Sequence, residues 1–536
     1  MCRPICLVAA AVVALTGCSK PTPAVVSGNR EKILHVGNGA EPRDLDPQVI
    51  TALTDSWILQ TLFETLTTIE PATSKPVPAA AHRWEVSEDG IVYTFHLRPE
   101  ARWSNGDPVT SADFMFAYER MLTPALATEY SYMLWPVKNA EAYNKGELTD
   151  FGEVGFSAPD TLTLRIELKD PTPYFPSLVS HQSWSPIHRP TIEKFDAFTR
   201  PGTDWTRPGN HVGNGPFQLA EWKPQDFIAV EPNPHYWDAA NVKLKGLRFH
   251  PIENTATEER AFRGEQLHIT YGLPSEKIAA YQKENPGSLR IEPWLETDYL
   301  RVNVTRKPLD SVKVRQALGR AIDRKGIAEK VVKGGQVPAH GFCPPGIGGY
   351  TTEASMPTDF EAARRLLAEA GYPNGEGFPA VELLYPTSKA GMQIVEALQA
   401  TWKKELNVDI SLRNEEYKVY LDTQRKLDYD LSISIWIADY PDPNTYLDMM
   451  LTGNGNNDTG WGHPRYDELI RSAGRTMDTA KRFALFQEAE ALLLEEAPVL
   501  PIFFGTHVYL CRPEVQNYAV SSGGVVIHKN IDLPGR

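Results

Sequence analysis

The sequence is poor in features that would place it among the commoner enzyme and membrane classes. Its first apolar run, Ile5 to Leu15, is too short to span a bilayer. Five cysteines in 536 residues exclude a disulfide framework, and after a leader is set aside Cys343 and Cys511 are the pair left, expected as unpaired, partly buried thiols. Basic residues are outnumbered 54 to 68, and the net charge of -14 argues against nucleic acid or an anionic membrane surface as the main partner. No His-Glu-x-x-His, no Gly-x-Ser-x-Gly and no P-loop occurs, so the usual zinc, serine-nucleophile and phosphate-binding signatures are missing. The 13 histidines are scattered, which leaves open only a metal site assembled from distant positions. No catalytic residue, metal ligand or cofactor is therefore expected. Solenoid-length repeats and low-complexity blocks are also lacking.

What is present is an ordinary globular composition, 42% hydrophobic and 23% charged, in a chain long enough for two or three cores. Arg3 followed by the short apolar run reads as a signal peptide over residues 1–17. Leu15, Thr16, Gly17 and Cys18 resemble the lipobox of bacterial lipoproteins, in which the cysteine is acylated and becomes the mature N-terminus. The implied address is the outer side of the cytoplasmic membrane, periplasmic or cell-surface, with Cys18 as lipid anchor. Ser19 to Arg30 is rich in Pro, Ser and Thr and is expected to be a flexible tether.

Alternation then announces strands. Ile91, Tyr93, Phe95 and Leu97, and again Leu162, Leu164, Ile166 and Leu168, recur at every second position. Between them Asn105 and Gly106 mark a turn, Thr110 and Asp113 stand at capping-box spacing, and Phe114, Ala117, Tyr118 and Met121 follow at helical intervals. Val314 to Ile322 and Ala363 to Ala370 carry helical stripes. The second is expected to start at a Thr358 and Glu361 capping box and to end at Gly371 before Pro373. Strands alternating with helices predict an α/β fold with a largely parallel sheet in the second half.

The most informative stretch is Leu431 to Pro443. Leu431, Ile433, Ile435 and Ile437 alternate with Ser432, Ser434 and Trp436, and the pattern then breaks into Asp439, Tyr440, Pro441, Asp442 and Pro443. This predicts a buried strand ending in an acidic, proline-stiffened loop, and ligands of α/β sheets sit beyond the carboxyl ends of strands. By residue type alone, Asp439 reads as a turn residue capping local amides and Trp436 as core.

Trp436, Ala438, Asp439 and Tyr440 resemble the Trp-x-Ala-Asp-Tyr segment of the oligopeptide-binding proteins of bacterial ABC importers, extracellular solute-binding proteins of family 5. The likeness extends through Leu45-Asp46-Pro47, Trp103 to Gly106, Gly213 to Phe217, Asn233 to Trp237, Val314 to Leu318 and Ile322 to Arg324. It implies a periplasmic-binding-protein-like fold of class II, cluster C: two α/β lobes, an extra domain, and the ligand between the lobes. Domain I would be discontinuous over residues 31–63, 205–295 and 500–536, domain II would cover 64–204 and domain III 296–499. The implied function is hinge closure around short, extended peptides and delivery to permease subunits in the inner membrane, by a monomer without catalysis.

Carried over residue by residue, Asp439 takes the peptide ammonium, beside Ala438. The backbone at Leu53 and Ile435 pairs with the peptide, while Trp436, Tyr271, Tyr299 and Tyr130 match aromatic walls. Arg425 is the candidate for the carboxylate. Where some relatives have a disulfide this chain has Ile437 and Glu296, and where some have an arginine for the peptide C-terminus it has Ile433. Two alternatives remain: the same fold holding a metal chelate or oligosaccharide, or a surface hydrolase, adhesion or sensing module.

Overall fold

The structure, a computed structural model, describes residues 22–534. The expected signal peptide, Cys18 and the start of the tether lie outside the described residues. In chain order the strands are β1 (Ile33–Gly37), β2 (Thr67–Ile69), β3 (Pro76–Pro78), β4 (Ala81–Val86), β5 (Val92–Leu97), β6 (Phe156–Asp160), β7 (Thr163–Glu167) and β8 (Phe217–Lys223). They continue with β9 (Phe227–Pro232), β10 (Gly246–His250), β11 (Leu289–Val302), β12 (Val337–Pro338), β13 (Val381–Pro386), β14 (Ile410–Glu415), β15 (Leu431–Ile437) and β16 (Val499–Leu510).

One four-stranded sheet has the order β1-β10-β9-β8, and a second, β4-β5-β7-β6, carries the alternation that the sequence announced. The helix Ser111–Leu122 has its capping box between Thr110 and Asp113 and buries Phe114, Ala117, Tyr118 and Met121. Arg120 on this helix donates through both terminal nitrogens to Asp46, at 3.1 and 2.6 Å, so the Leu45-Asp46-Pro47 segment is tied to it by a fully buried ion pair.

The Gly213 to Phe217 motif has an equally local reason. A Cβ at Gly213 or Gly215 would lie 2.1 Å from the Leu62 carbonyl oxygen or 2.5 Å from its carbon, so only glycine lets this loop dock on the end of the helix Leu53–Leu62. Asn214 then bonds both the N–H and the carbonyl of Glu64, and Tyr236 and Trp237 bond its carboxylate.

The third sheet, β12-β16-β11-β15-β13-β14, positions the site. It is mixed, not largely parallel: β13 pairs parallel with β14 and β15, whereas β11 pairs antiparallel with both β15 and β16. The parallel pairs are joined through the helices Lys389–Leu406 and Tyr417–Arg425, but β11 and β16 need no crossover helix. These two long strands also reach the first sheet, because Ile269 bridges both Val36 of β1 and Cys511 just beyond β16. Their ladder is interrupted where Trp294 to Glu296 oppose Gly505, a bulge between the half of β11 before Pro293 and the half after Thr297.

Three further expectations are corrected. Residues 24–30 are not a loose tether but belong to the helix Ala24–Glu31, where Val25 is buried and its N–H donates to Glu265 at 2.9 Å. The helix Phe360–Glu369 starts on Asp359, which accepts from the Ala362 N–H, while Thr358 turns its hydroxyl to the Ile322 carbonyl. Its end is as expected: Gly371 has φ +99°, and the N–H groups of Gly371 and Tyr372 close on Ala368 and Leu367. Cys343 and Cys511 are free, and both are buried rather than partly so.

Candidate functional site

β15 is buried only in its first half. Leu431 to Ser434 are covered, but Ile435 and Ile437 are 55% and 50% exposed, which corrects the expectation of a wholly buried strand. The reason is pairing. β13 reaches only Leu431 and Ser432, so beyond them one edge of β15 has no strand beside it. The Ala438 N–H points to Leu295 on the β11 side, and the Ile433 carbonyl accepts the Tyr420 hydroxyl on the other. By alternation, the main-chain groups of Ile435 and Ile437 face the open edge.

The strand then delivers Asp439 to the wall of a cavity of about 490 Å³. Leu53, Tyr130, Ala438 and Asp439 all line it. Leu53 opens the helix Leu53–Leu62, whose N-cap, Ala52, offers no side-chain acceptor, while the Asp55 and Ser56 N–H groups close on the Ala52 carbonyl. The Tyr132 hydroxyl lies 3.4 Å from Asp439 Oδ2. Among the described residues no cation pairs with this carboxylate. Burial raises its pKa to about 6, against the weaker, opposing effect of the Tyr132 hydrogen bond. Its charge is felt nearby: burial and then Asp439 push Tyr130 up to about 12, and the same two causes, in that order, with Asp442 third, bring Asp448 to about 7.

The loop is held from behind. Asp442 accepts from both terminal nitrogens of Arg482 at 2.7 and 2.6 Å, a buried bidentate pair, and Tyr440 stacks on Tyr174 with centroids 4.9 Å apart.

Other expected residues fall elsewhere. Trp436 lies on β15 but on the face opposite Ile435, partly buried against the core. Tyr299 pairs with Ser434 on that same far face and is fully buried with its ring 5.1 Å from Phe342, so it is core, not cavity wall. Tyr271 packs on Trp57 at 5.2 Å, outside the wall, which Trp294 supplies instead. Arg425 ends the helix that descends from β14 to the start of β15, one strand length of about 20 Å from Asp439. It does not line the cavity. Sequence reasoning missed Ser56, Tyr132, His181 and Trp294; only Tyr132, two residues from Tyr130, had a local signal.

Glu296 and Ile437, which replace the half-cystines of some relatives, are directly opposed across β11 and β15. As a non-hydrogen-bonded pair their Cα atoms stand about 4.5 Å apart, within disulfide reach. Glu296→Cys with Ile437→Cys is expected to cross-link under mild oxidation, read by mass spectrometry of non-reduced peptides. Thiols that stay free would contradict this register.

An open strand edge, an unpaired carboxylate and a helix N-terminus around one cavity between α/β lobes define a solute-binding protein. Residues 75–458 match the family described as bacterial extracellular solute-binding proteins, family 5 middle, and the chain belongs to that family. It is 35% identical to the oligopeptide-binding protein OppA of Bacillus subtilis over 93% of this chain and 92% of that protein. It is also 32% identical to the probable deoxycholate-binding periplasmic protein YgiS of Escherichia coli, over 94% and 92%. Among solved structures, the unliganded open form of the periplasmic murein tripeptide binding protein MppA matches with a TM-score of 0.82 at 31% identity, covering 94% of this chain and 97% of that one. Haemophilus influenzae OppA in complex with RPPGFSPFR matches with 0.73 at 32% identity, covering 94% and 98%. These relatives are named as binding proteins, not enzymes.

Proposed function

We propose that this protein captures short peptides in the cleft and hands them to permease subunits of an ABC importer, working as a monomer on the outer side of the cytoplasmic membrane and anchored through Cys18. The observation that carries the reading is Asp439: a carboxylate with a raised pKa, no cation beside it, and an open strand edge leading away from it. A peptide satisfies all of this at once. Its α-ammonium pairs with Asp439, and its extended main chain adds a strand to the edge at Ile435 and Ile437. Closure bends β11 and β16 at the bulge opposite Gly505.

The relative named as probable deoxycholate-binding supplies the second reading, a non-peptide guest. Asp439 opposes it, since an anionic guest would meet an unpaired anion. Calorimetry with alanine tripeptides and tetrapeptides, their N-acetylated forms and deoxycholate separates the two. Free amines are expected to bind, and acetylation to weaken binding by about two to three orders of magnitude, the cost of leaving a desolvated charge unpaired. Acetylated and free peptides binding equally would overturn the assignment.

A further inference from the structure

Three histidines lie in a row under the N-terminal helix. His35 of β1, His250 of β10 and His268 stack with nearly parallel rings, the centroid of His35 lying 5.4 Å from that of His250 and 5.8 Å from that of His268. The helix Ala24–Glu31 covers the row: a Cβ at Gly28 would stand 2.8 Å from the His268 ring and 3.2 Å from that of His35. Both histidines are buried beneath it. The hydrogen bonds through the row run in one direction. The His35 N–H donates to His268 Nδ1 at 3.0 Å, so a neutral His268 carries its proton on Nε2 and donates it to Asn29 Oδ1 of the helix at 3.3 Å. The His250 ring donates to the Asp226 carbonyl, which leaves Nε2 to accept from His35 Nδ1 at 3.1 Å. A proton added at His268 Nδ1 or His250 Nε2 would therefore meet an N–H already aimed at it, and a charge on His35 would stand between two rings. The surroundings add to this. Arg248 stands against His35 and His250, Arg512 against His268, Asp226 faces His250, and Glu514 meets the Asn29 amide. Burial first, then His250, His268 and Arg248, lowers the His35 pKa to about 3, and burial followed by Arg512 lowers that of His268 to about 3 as well.

We propose that the helix Ala24–Glu31 is an acid-released clasp, which holds while the histidines beneath it are neutral and lets go when they take up protons. A base whose pKa is lowered by docking stabilises the docked state fully above its uncovered value of 6.5, and progressively less as the pH falls toward 3. Between pH 7 and pH 5, His35 and His268 should each weaken docking by about 25-fold. Release changes the reach of the anchor. With the helix docked, the chain from Cys18 to Pro23 spans at most about 18 Å; with it free, the chain from Cys18 to Ile33 spans up to about 50 Å. In acid the body of the protein would thus stand farther from the membrane and turn more freely. That consequence rests on the Cys18 anchor of the reading above, whereas the clasp itself does not.

The test is hydrogen exchange, read by mass spectrometry on the mature chain between pH 5 and pH 7, with each rate divided by its intrinsic value at that pH. Protection of the amides from Ser27 to Glu31 is expected to fall roughly 600-fold from pH 7 to pH 5, while that of β5 and β7 holds. His268→Asn keeps an acceptor for the His35 N–H and cannot be charged, so its helix is expected to lose about 25-fold less. If that variant is unprotected already at pH 7, His35→Asn, which keeps a donor toward His250, is read in its place. Equal protection of the wild-type helix at pH 5 and pH 7, or the same loss in the variant as in wild type, overturns the clasp and leaves peptide capture and the anchor standing. A mature chain whose mass shows no acyl group on Cys18 overturns the anchor and the change of reach.

Discussion

Replacing Asp439 by asparagine is expected to make the empty protein more stable and the binding protein worse. The carboxylate is ionised at neutral pH against a pKa raised to about 6 by burial, with no cation in place. A folded-state pKa above the unfolded one means that its contribution to stability is complete below about pH 4 and is lost as the pH rises through about 6. Relative to Asp439→Asn, the unliganded wild type should therefore be less stable by about 3 kcal/mol above pH 6, and the difference should vanish near pH 4. Denaturant unfolding at several pH values reads this directly. Peptide binding moves the other way. Losing the charge that meets the ammonium is expected to weaken affinity by about two to three orders of magnitude. Wild-type affinity should fall roughly tenfold between pH 7 and pH 5 as the site takes up a proton, while that of the variant stays flat. An asparagine variant that binds peptide like wild type would remove Asp439 from the site, and one that is less stable when empty would mean that the carboxylate has a local partner.

The two signs together would mark a group held for a ligand rather than for the fold, and this is the kind of residue that the sequence could indicate but not justify. Asp439 was legible because a strand pattern broke into an acidic loop, and the open edge beside it was not, because β13 stops pairing after Ser432 for reasons that lie in distant chain segments. Period-two alternation made Ile435 look as buried as Ile433; it reports which residues share a face, not whether anything covers that face. The same parity argument places Tyr299 with Trp436 on the core side once the β11 to β15 register is known, and that register cannot be read from either strand alone. Features closed within a few residues were read correctly, such as the Thr110 and Asp113 capping box and the end of a helix at Gly371. Those decided by one neighbour were not: Asp359 displaces Thr358 as a cap because Thr358 finds the Ile322 carbonyl, and the short helix Ala24–Glu31 is specified by contacts with Glu265 and not by its own two buried positions.

Arg482 makes the same point for a residue that touches no guest. It is buried 40 positions from Asp442, clamps both of its oxygens and also donates to the Ala473 carbonyl. Asp442 in turn accepts from the Asn444 N–H, while its own N–H donates to Tyr440, so the clamp fixes the turn that carries Asp439. Arg482→Ala is expected to cost about 3–5 kcal/mol, because it leaves a buried carboxylate without its counter-ion. The Arg482→Ala/Asp442→Asn double variant is expected to recover most of that loss, since a pair removed together costs far less than a pair broken. Peptide affinity should not recover with it: without the bidentate anchor the loop no longer holds Asp439 at the end of the open edge, and affinity is expected to stay down by about tenfold or more in both variants. Denaturant unfolding and calorimetry on the single and double variants separate the two effects. If affinity returned together with stability, the clamp would serve the fold alone, and Asp439 would be positioned by its neighbours in β15 instead.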